Sequence, residues 1–366
     1  MAVMYFLILH SIQYQNSLEE KILPKKTTKK YIVLENNNPK DSQLLNLRAI
    51  DHSINDNDLY IVPIFARTGD LELNQNFVED IKDFFDKYEI LQKSNVFVTF
   101  IDADEVRLYR KNIIEQIYTD KIGKLFVITP DYKLNFKNPN INHIVYNKWM
   151  FMKWKPVDYK NLKKVYINMT RRPRLHRLLL LQKLIQNNLM EVGYNTFHSY
   201  QSDEYNTEFP EIFDYKFDIL DHPPTNRYIT EDSPEKAHEE SFISLVTEHY
   251  VNKDVCFITE KIFRPIIHQM PFIILSSPGT LDMLKSQGYD TFTEWIDESY
   301  DNDINLEKRL EIIVNNIYKF SQYSIEDLVS IRHEMKEICQ KNYDNWLENK
   351  KIMEPVIIWN ELKKLI

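Results

Sequence analysis

The sequence predicts an α/β protein with two domains, and three observations lead to this prediction. Short apolar runs alternate with segments of helical spacing along most of the chain, a pattern that favours mostly parallel sheets with crossover helices. Charged motifs come directly after several apolar runs, where ligands of open α/β sheets bind. The chain has 366 residues, which is enough for two hydrophobic cores.

The first half of the chain carries one series of predicted elements. The predicted strands are Tyr5–Leu9, Leu59–Phe65, Val96–Ile101, Leu125–Thr129 and Ile141–Tyr146. Helical spacing is found over Phe77–Leu91 and Ile113–Asp120. An aromatic and basic stretch at 147–161 interrupts the alternation and contains Pro156, as a connector does. We therefore expect a first domain over residues 1–155.

A second series of elements follows the connector. The predicted strands are Lys164–Met169, Ser241–Val246 and Phe272–Leu275, and the predicted helices are Leu175–Met190, Thr280–Gln287, Leu306–Phe320 and Ile325–Asn342. The polar segment 197–240 is expected to be a long irregular insert. We expect a second domain over 156–342, with 343–366 as a C-terminal helix that packs back on the first domain.

Composition excludes several classes of protein. The net charge of -8 makes general nucleic-acid binding unexpected. The five glycines are too far apart for a Rossmann fingerprint or a P-loop, so a bound phosphate must be held by helix ends and basic side chains. No zinc-protease or serine-hydrolase motif occurs. Two cysteines and the lack of a membrane-length apolar run favour a cytoplasmic protein, in a host cell or virion-associated if the source is viral.

The segment from Ser244 to Phe272 is the most informative part of the sequence. Thr259 is placed to cap a helix, and Lys261 lies on its first turn, where free amides and the helix dipole favour an anion. Glu248 follows the preceding strand, and the carboxylate of Glu260 can accept hydrogen bonds from sugar hydroxyls. Together these groups suit a nucleoside diphosphate, while the alternative interpretation is an ordinary capped helix with solvated charges.

A second basic motif opens the helix after the strand at 164–169. The segment Asn168–Arg177 contains four arginines, namely Arg171, Arg172, Arg174 and Arg177. Cations are disfavoured at a helix N-terminus unless an anion is bound there, and arginine matches phosphate by paired hydrogen bonds. Arg174 and Arg177 are three residues apart and can share a face. A phosphate site is favoured over a solvated basic loop or pairing with the acidic insert.

Three acidic residues follow the predicted strand at 96–101, and their role has three interpretations. Asp102 and Asp104 can bind a divalent cation together with a nucleotide sugar. Asp104 or Glu105 can instead act as the base that deprotonates an acceptor hydroxyl. The third interpretation is a turn whose acidic residues cap the next helix.

At this point the sequence resembles a known family. The segments SFISLVTEHY, CFITEKIFRPI and PFII resemble the nucleotide-sugar-binding block of α-1,3-fucosyltransferases, with Glu260 and Lys261 matching a Thr-Glu-Lys motif and Glu248 matching an earlier glutamate. The chain is also similar to virus- and phage-encoded glycosyltransferases that share the arginine-rich, TEK, PFII and DESYD segments. The resemblance covers about residues 164–302.

The resemblance implies a GT-B fold, in which two Rossmann-like domains with parallel sheets face a cleft. It implies a nucleotide-sugar donor on the second domain, bound without a metal or other cofactor, and inversion by a carboxylate base from the first domain, either Glu105 or Asp104. The implied donor-binding residues are Arg172, Arg174, Arg177, Glu248, Thr259, Glu260 and Lys261. The chain departs from the family at 246–249, where Val-Thr-Glu-His replaces Phe-Glu-Asn-Ser, so the sugar is not specified.

The leading hypothesis is therefore an inverting, metal-independent glycosyltransferase that acts on a glycan or another hydroxyl acceptor. One alternative is a transferase acting on modified bases of viral DNA, with a basic groove supplied by Lys148, Lys153, Lys155, Lys160, Lys163 and Lys164. Another is a non-catalytic glycan-binding or structural viral protein. A metal-dependent transferase that uses Asp102 and Asp104 is the last.

Overall fold

The computed structural model divides the chain into two compact units, 1–148 with 351–366, and 149–350. The residues that the structure describes are 31–33, 59–61, 97–101, 115, 124–129, 132, 135–145, 147–152, 154–170, 173–197, 208–217, 235–252 and 256–352. Most of the second unit is described, and it contains the donor-side motifs.

The first unit contains parallel strands in two groups. A two-stranded sheet joins β1 (Tyr31–Val33) to β2 (Leu59–Ile61). A three-stranded sheet has the order β3-β4-β5, formed by Phe97–Ile101, Lys124–Thr129 and Ile141–Val145. Strands were predicted at β2 to β5 and are confirmed there, whereas β1 was not predicted. The predicted strand at 5–9 and the predicted helix at 77–91 lie outside the described residues, as does most of the one at 113–120.

The second unit is built on a four-stranded parallel sheet with the order β7-β6-β8-β9. The strands are β6 (Lys164–Met169), β7 (Gly193–Thr196), β8 (Ser241–Thr247) and β9 (Phe272–Leu275). Every residue of β8 and β9 is buried, which explains why β9 is a continuous apolar run and why β8 does not alternate between apolar and exposed polar residues. The chain leaves β6 in one direction to form β7 and then crosses to the other side of β6 to form β8. The order of strands therefore reverses between β6 and β8.

Eight α-helices are described over their whole length, all in the part of the chain after residue 174. They are α1 (Leu175–Gln186), α2 (Pro210–Phe213), α3 (Glu235–Glu239), α4 (Glu260–Ile267), α5 (Thr280–Ser286), α6 (Leu306–Ser321), α7 (Ile325–Glu334) and α8 (Lys336–Ile352). Buried leucines of α1 and buried isoleucines of α6 contribute to the core around the sheet. None of the described helices has the length and apolar character needed to cross a membrane.

Parallel sheets with crossover helices confirm the predicted α/β class. The predicted strands at 164–169, 241–246 and 272–275 are confirmed within one residue. The single helix predicted at 325–342 is wrong, because α7 ends at Glu334 and α8 begins at Lys336 and continues to Ile352. The predicted boundary between the second domain and the C-terminal helix, between residues 342 and 343, thus falls inside α8.

Candidate functional site

The candidate site lies at the carboxyl ends of β6 and β8, where the order of strands reverses. Helix α1 begins six residues after the end of β6, and α4 begins after the loop that follows β8. In open α/β sheets, this switch point is where the loops after neighbouring strands separate and leave room for a ligand. Both helix N-termini therefore lie at the edge of the sheet where ligands bind.

Glu248 is the first residue after β8, and its side chain is fully buried. One carboxylate oxygen accepts a hydrogen bond of 3.0 Å from the backbone amide of Thr259, and the other accepts one of 2.8 Å from the Thr259 hydroxyl. The amine of Lys261 is 3.7 Å from the same second oxygen. Glu248 thus joins the end of β8 to the start of α4.

Thr259 caps α4, as predicted. Its hydroxyl accepts hydrogen bonds from the backbone amide of Lys261 at 3.4 Å and from the Lys261 amine at 2.7 Å. The Lys261 side chain is 22% exposed and that of Glu260 is 13% exposed, so both reach the surface of the site. Burial alone would raise the pKa of Glu260, but the charges of Lys261 and Arg264 outweigh it and hold that pKa below its usual value. Glu260 is therefore an ionised hydrogen-bond acceptor.

Arg174 occupies the residue before the first turn of α1, with an extended backbone and no side-chain cap. Its guanidinium lies 2.9 Å and 2.6 Å from the two ring nitrogens of His249. The Arg174 side chain is half-buried. No acidic residue lies in the first turn of α1, so nothing on that turn offsets the positive end of the helix dipole.

Arg177 and His176 fasten the start of α1 to the end of β8. Arg177 is buried and donates to the carbonyls of Thr247, at 3.1 Å, and Glu248, at 3.2 Å. His176 Nε2 lies 2.9 Å from the Glu248 carbonyl oxygen. Burial, followed by the charge of Arg177, lowers the pKa of His176 to about 3. The ring is therefore neutral, and because a carbonyl only accepts, Nε2 carries its proton.

The structure brings six of the predicted site residues together. They are Arg174, Arg177, Glu248, Thr259, Glu260 and Lys261. The geometry differs from the prediction that Arg174 and Arg177 present one face to a ligand, because the Arg177 guanidinium is buried against backbone carbonyls. The predicted bases Glu105 and Asp104, together with Asp102 and Arg172, lie outside the described residues, and their roles stay predictions.

Two polar residues of the site were not given a role from the sequence. His249 contacts Arg174 and packs edge-on against Tyr250, with ring centroids 4.6 Å apart. Asn168, the penultimate residue of β6, is buried, and its amide nitrogen has no hydrogen-bond partner among the described residues. The signal that points to both is their position at the ends of β6 and β8.

Four of the six connector lysines have partners within the protein. Lys155 and Lys160 lie 3.7 Å and 3.4 Å from the carboxylates of Glu235 and Asp158. Lys163 donates to Glu240 at 2.6 Å, and Lys164 donates to a backbone carbonyl, also at 2.6 Å. These contacts offset the positive charge that a nucleic-acid groove would need. Over the part of the chain that is described, no cluster of three or more His, Cys, Asp or Glu is placed to hold a metal ion.

No family model matches the chain, and no curated protein matches it either. One similar solved structure is that of a T4 phage BGT mutant in complex with UDP-glucose, with 12% sequence identity and a TM-score of 0.36 over 82% of this chain and 80% of that chain. Similarity at this level does not place the chain in a family.

Proposed function

We propose that the chain is a glycosyltransferase of the GT-B type, which moves a sugar from a nucleoside-diphosphate sugar to an acceptor hydroxyl. The observation that carries this proposal is the meeting of two helix beginnings, α1 with Arg174 and α4 with Lys261, at the switch point between β6 and β8. Glu248 contacts the N-termini of both helices, α1 through its backbone carbonyl and α4 through its carboxylate, so a single residue bridges them.

The diphosphate is the part of the donor that this geometry fits best. Cations at helix N-termini are opposed by the helix dipole, and Arg174 and Lys261 are both in that unfavourable position. A bound diphosphate would offset both charges and accept hydrogen bonds from free backbone amides of the first turns. The partial exposure of the two side chains leaves them accessible to such a ligand.

The same residues are placed to bind the ribose of the donor and to stabilise the leaving diphosphate. Ionised Glu260 lies next to Lys261 and can accept hydrogen bonds from ribose hydroxyls. As the bond to the sugar breaks, negative charge builds on the diphosphate, and Arg174 and Lys261 would stabilise it without a metal. Glu105 or Asp104 would take the proton of the acceptor hydroxyl as it attacks from the opposite face, which inverts the anomeric carbon.

The resemblance to α-1,3-fucosyltransferases supports a guanine nucleotide, while the departure at 246–249 makes other donors worth testing. Cys256 and Cys339 are buried as reduced thiols, which supports our proposal of a reducing, cytoplasmic location.

Titration calorimetry tests donor binding. We expect one of GDP, UDP or ADP to bind, equally well with and without EDTA. Lys261→Met should weaken this binding by about tenfold or more, because it removes a charged hydrogen-bond donor to phosphate. Lys308→Met, at an exposed lysine on the first turn of α6, is the matched control and should leave binding unchanged. Failure of all three nucleotides to bind would refute the proposal.

Turnover of a labelled donor tests the catalytic base. Glu105→Gln and Asp104→Asn should separate the two candidates, since the variant that removes the base should lose transfer while it keeps nucleotide binding. Asp102→Asn should keep transfer if no metal is used, and its loss of transfer would favour the metal-dependent alternative. If added manganese restores or drives transfer in any of them, the metal-dependent alternative is correct instead.

A further inference from the structure

We infer that Glu248 is a positioning residue, which holds the beginnings of α1 and α4 in place and does not itself contact the donor. This inference rests on the proposed function, because it concerns the same nucleotide site. It differs from the family-based expectation, in which Glu248 belongs to the residues that bind the donor. The contacts of Glu248 with three separate elements support it.

The first support is burial. The Glu248 side chain has no exposed surface, and both of its oxygens accept hydrogen bonds from Thr259. A donor hydroxyl would have to displace Thr259 to reach this carboxylate. Glu260 in contrast is partly exposed and ionised, so the carboxylate that a ribose can reach is the neighbouring one.

The backbone of Glu248 provides the second support. Its amide donates to the Leu275 carbonyl of β9 at 2.9 Å. Its carbonyl oxygen accepts from His176 at 2.9 Å and from Arg177 at 3.2 Å, both on the first turn of α1. The side chain therefore fixes α4 while the backbone fixes α1, and the next strand anchors both.

The third support is the chemistry of the Thr259 hydroxyl, which has one proton and two lone pairs. The proton goes to Glu248, and the lone pairs accept from the Lys261 amide and the Lys261 amine. Only a carboxylate holds the Thr259 hydroxyl in this orientation, because it can accept one hydrogen bond from the Thr259 amide and another from the Thr259 hydroxyl. The amide of a glutamine would face either the Thr259 amide or the Thr259 hydroxyl with its NH₂ group, so one of the two bonds would be lost or reversed.

Glu248→Gln is therefore the informative substitution, and Glu240→Gln is its matched control. Glu240 lies at the other end of β8, is also buried, and accepts from Lys163 and Tyr194, each at 2.6 Å. In the protein without nucleotide, Glu248→Gln should speed hydrogen exchange of the amides at 259–261 by about tenfold or more, and Glu240→Gln should not. Equal exchange in wild type and Glu248→Gln would overturn the inference.

Binding measurements separate positioning from direct contact. If Glu248 acts through Lys261, the double variant Glu248→Gln/Lys261→Met should bind the nucleotide no more weakly than Lys261→Met alone. If the losses multiply while hydrogen exchange at 259–261 is unchanged in Glu248→Gln, Glu248 contacts the donor and the inference is wrong. If wild type binds no nucleotide, the proposed function fails, whereas the exchange measurement still decides whether Glu248 orders the start of α4.

A second pair of variants covers the case in which Glu248→Gln does not fold. Thr259→Val removes the hydroxyl through which Glu248 acts, while Thr259→Ser keeps it. Thr259→Val should reproduce the faster exchange at 260–261 and the weaker nucleotide binding, and Thr259→Ser should resemble wild type. If the two variants behave alike, Glu248 does not hold the start of α4 through the Thr259 hydroxyl, and the inference is overturned.

Discussion

Two buried histidines give the protein a predictable dependence on pH. Burial lowers the pKa of His176 to about 3 and that of His268 to about 4. In the unfolded chain the pKa of both histidines returns to its ordinary value of 6.5, so between the folded and unfolded pKa values the unfolded state binds more protons than the folded state. The contribution of the two histidines to stability is therefore fully present above pH 6.5 and is lost as the pH falls toward 4.

The measurement is urea unfolding at pH 7, 6 and 5. His176→Gln and His268→Gln should each reduce the dependence of the unfolding free energy on pH by about 1 kcal/mol per pH unit between pH 5 and 6. His333→Gln, at an exposed histidine of α7, is the control. A wild-type protein that gains stability on going from pH 7 to pH 5, with no difference among the variants, would contradict this assignment.

At the scale of single residues, the sequence predicts the local features of the site and not the long-range ones. The cap at Thr259 and the cation at Lys261 follow from neighbours in sequence. The burial of Arg177 does not, because its partners, the carbonyls at the end of β8, are about 70 residues further along the chain. Whether a guanidinium at a helix start faces a ligand or a strand depends on where that strand is placed.

At the scale of elements, β7 shows the same limit. Its four residues, Gly193–Thr196, form no apolar run, and the strand exists because the edge of β6 offers backbone partners. Gly193 also has a packing role, because a Cβ atom there would overlap the ring of Tyr166, which is fully buried in β6. The break between α7 and α8 also cannot be recognised from the sequence. Met335 leaves helical geometry only slightly, with φ −75° and ψ −7°, and neither glycine nor proline marks the position.

Gly193→Ala should therefore destabilise the second unit. Overlap with a buried ring costs about 1–3 kcal/mol when the surroundings cannot move, and the Tyr166 hydroxyl is held by the Leu189 carbonyl at 3.1 Å. Urea unfolding measures the loss. In the double variant Gly193→Ala/Tyr166→Leu the overlap is absent, so the two losses should be clearly less than additive. Additive losses would show that the backbone of Gly193, and not the ring contact, sets the cost.

At the scale of the whole molecule, all of the described donor-side residues belong to one unit. The switch point, both helix beginnings and Glu248 lie within 149–350, and so do the four strands of the sheet that positions them. The alternation of strands and helices predicts the α/β class, which the parallel sheets confirm. It does not predict the start of α8, because this continuous helix begins at Lys336, within the single helix predicted at 325–342, and runs on to Ile352.

The fragment 149–350 provides the test at this scale. Because the unit has its own buried sheet and core, we expect the fragment to unfold cooperatively in urea and to bind the nucleotide that the full chain binds, within about tenfold of its affinity. It should show no sugar transfer, since the proposed bases Glu105 and Asp104 are absent from it. Lys261→Met in the fragment should weaken binding as it does in the full chain. A folded fragment that binds no nucleotide, beside a full chain that does, would show that the first unit supplies part of the donor site.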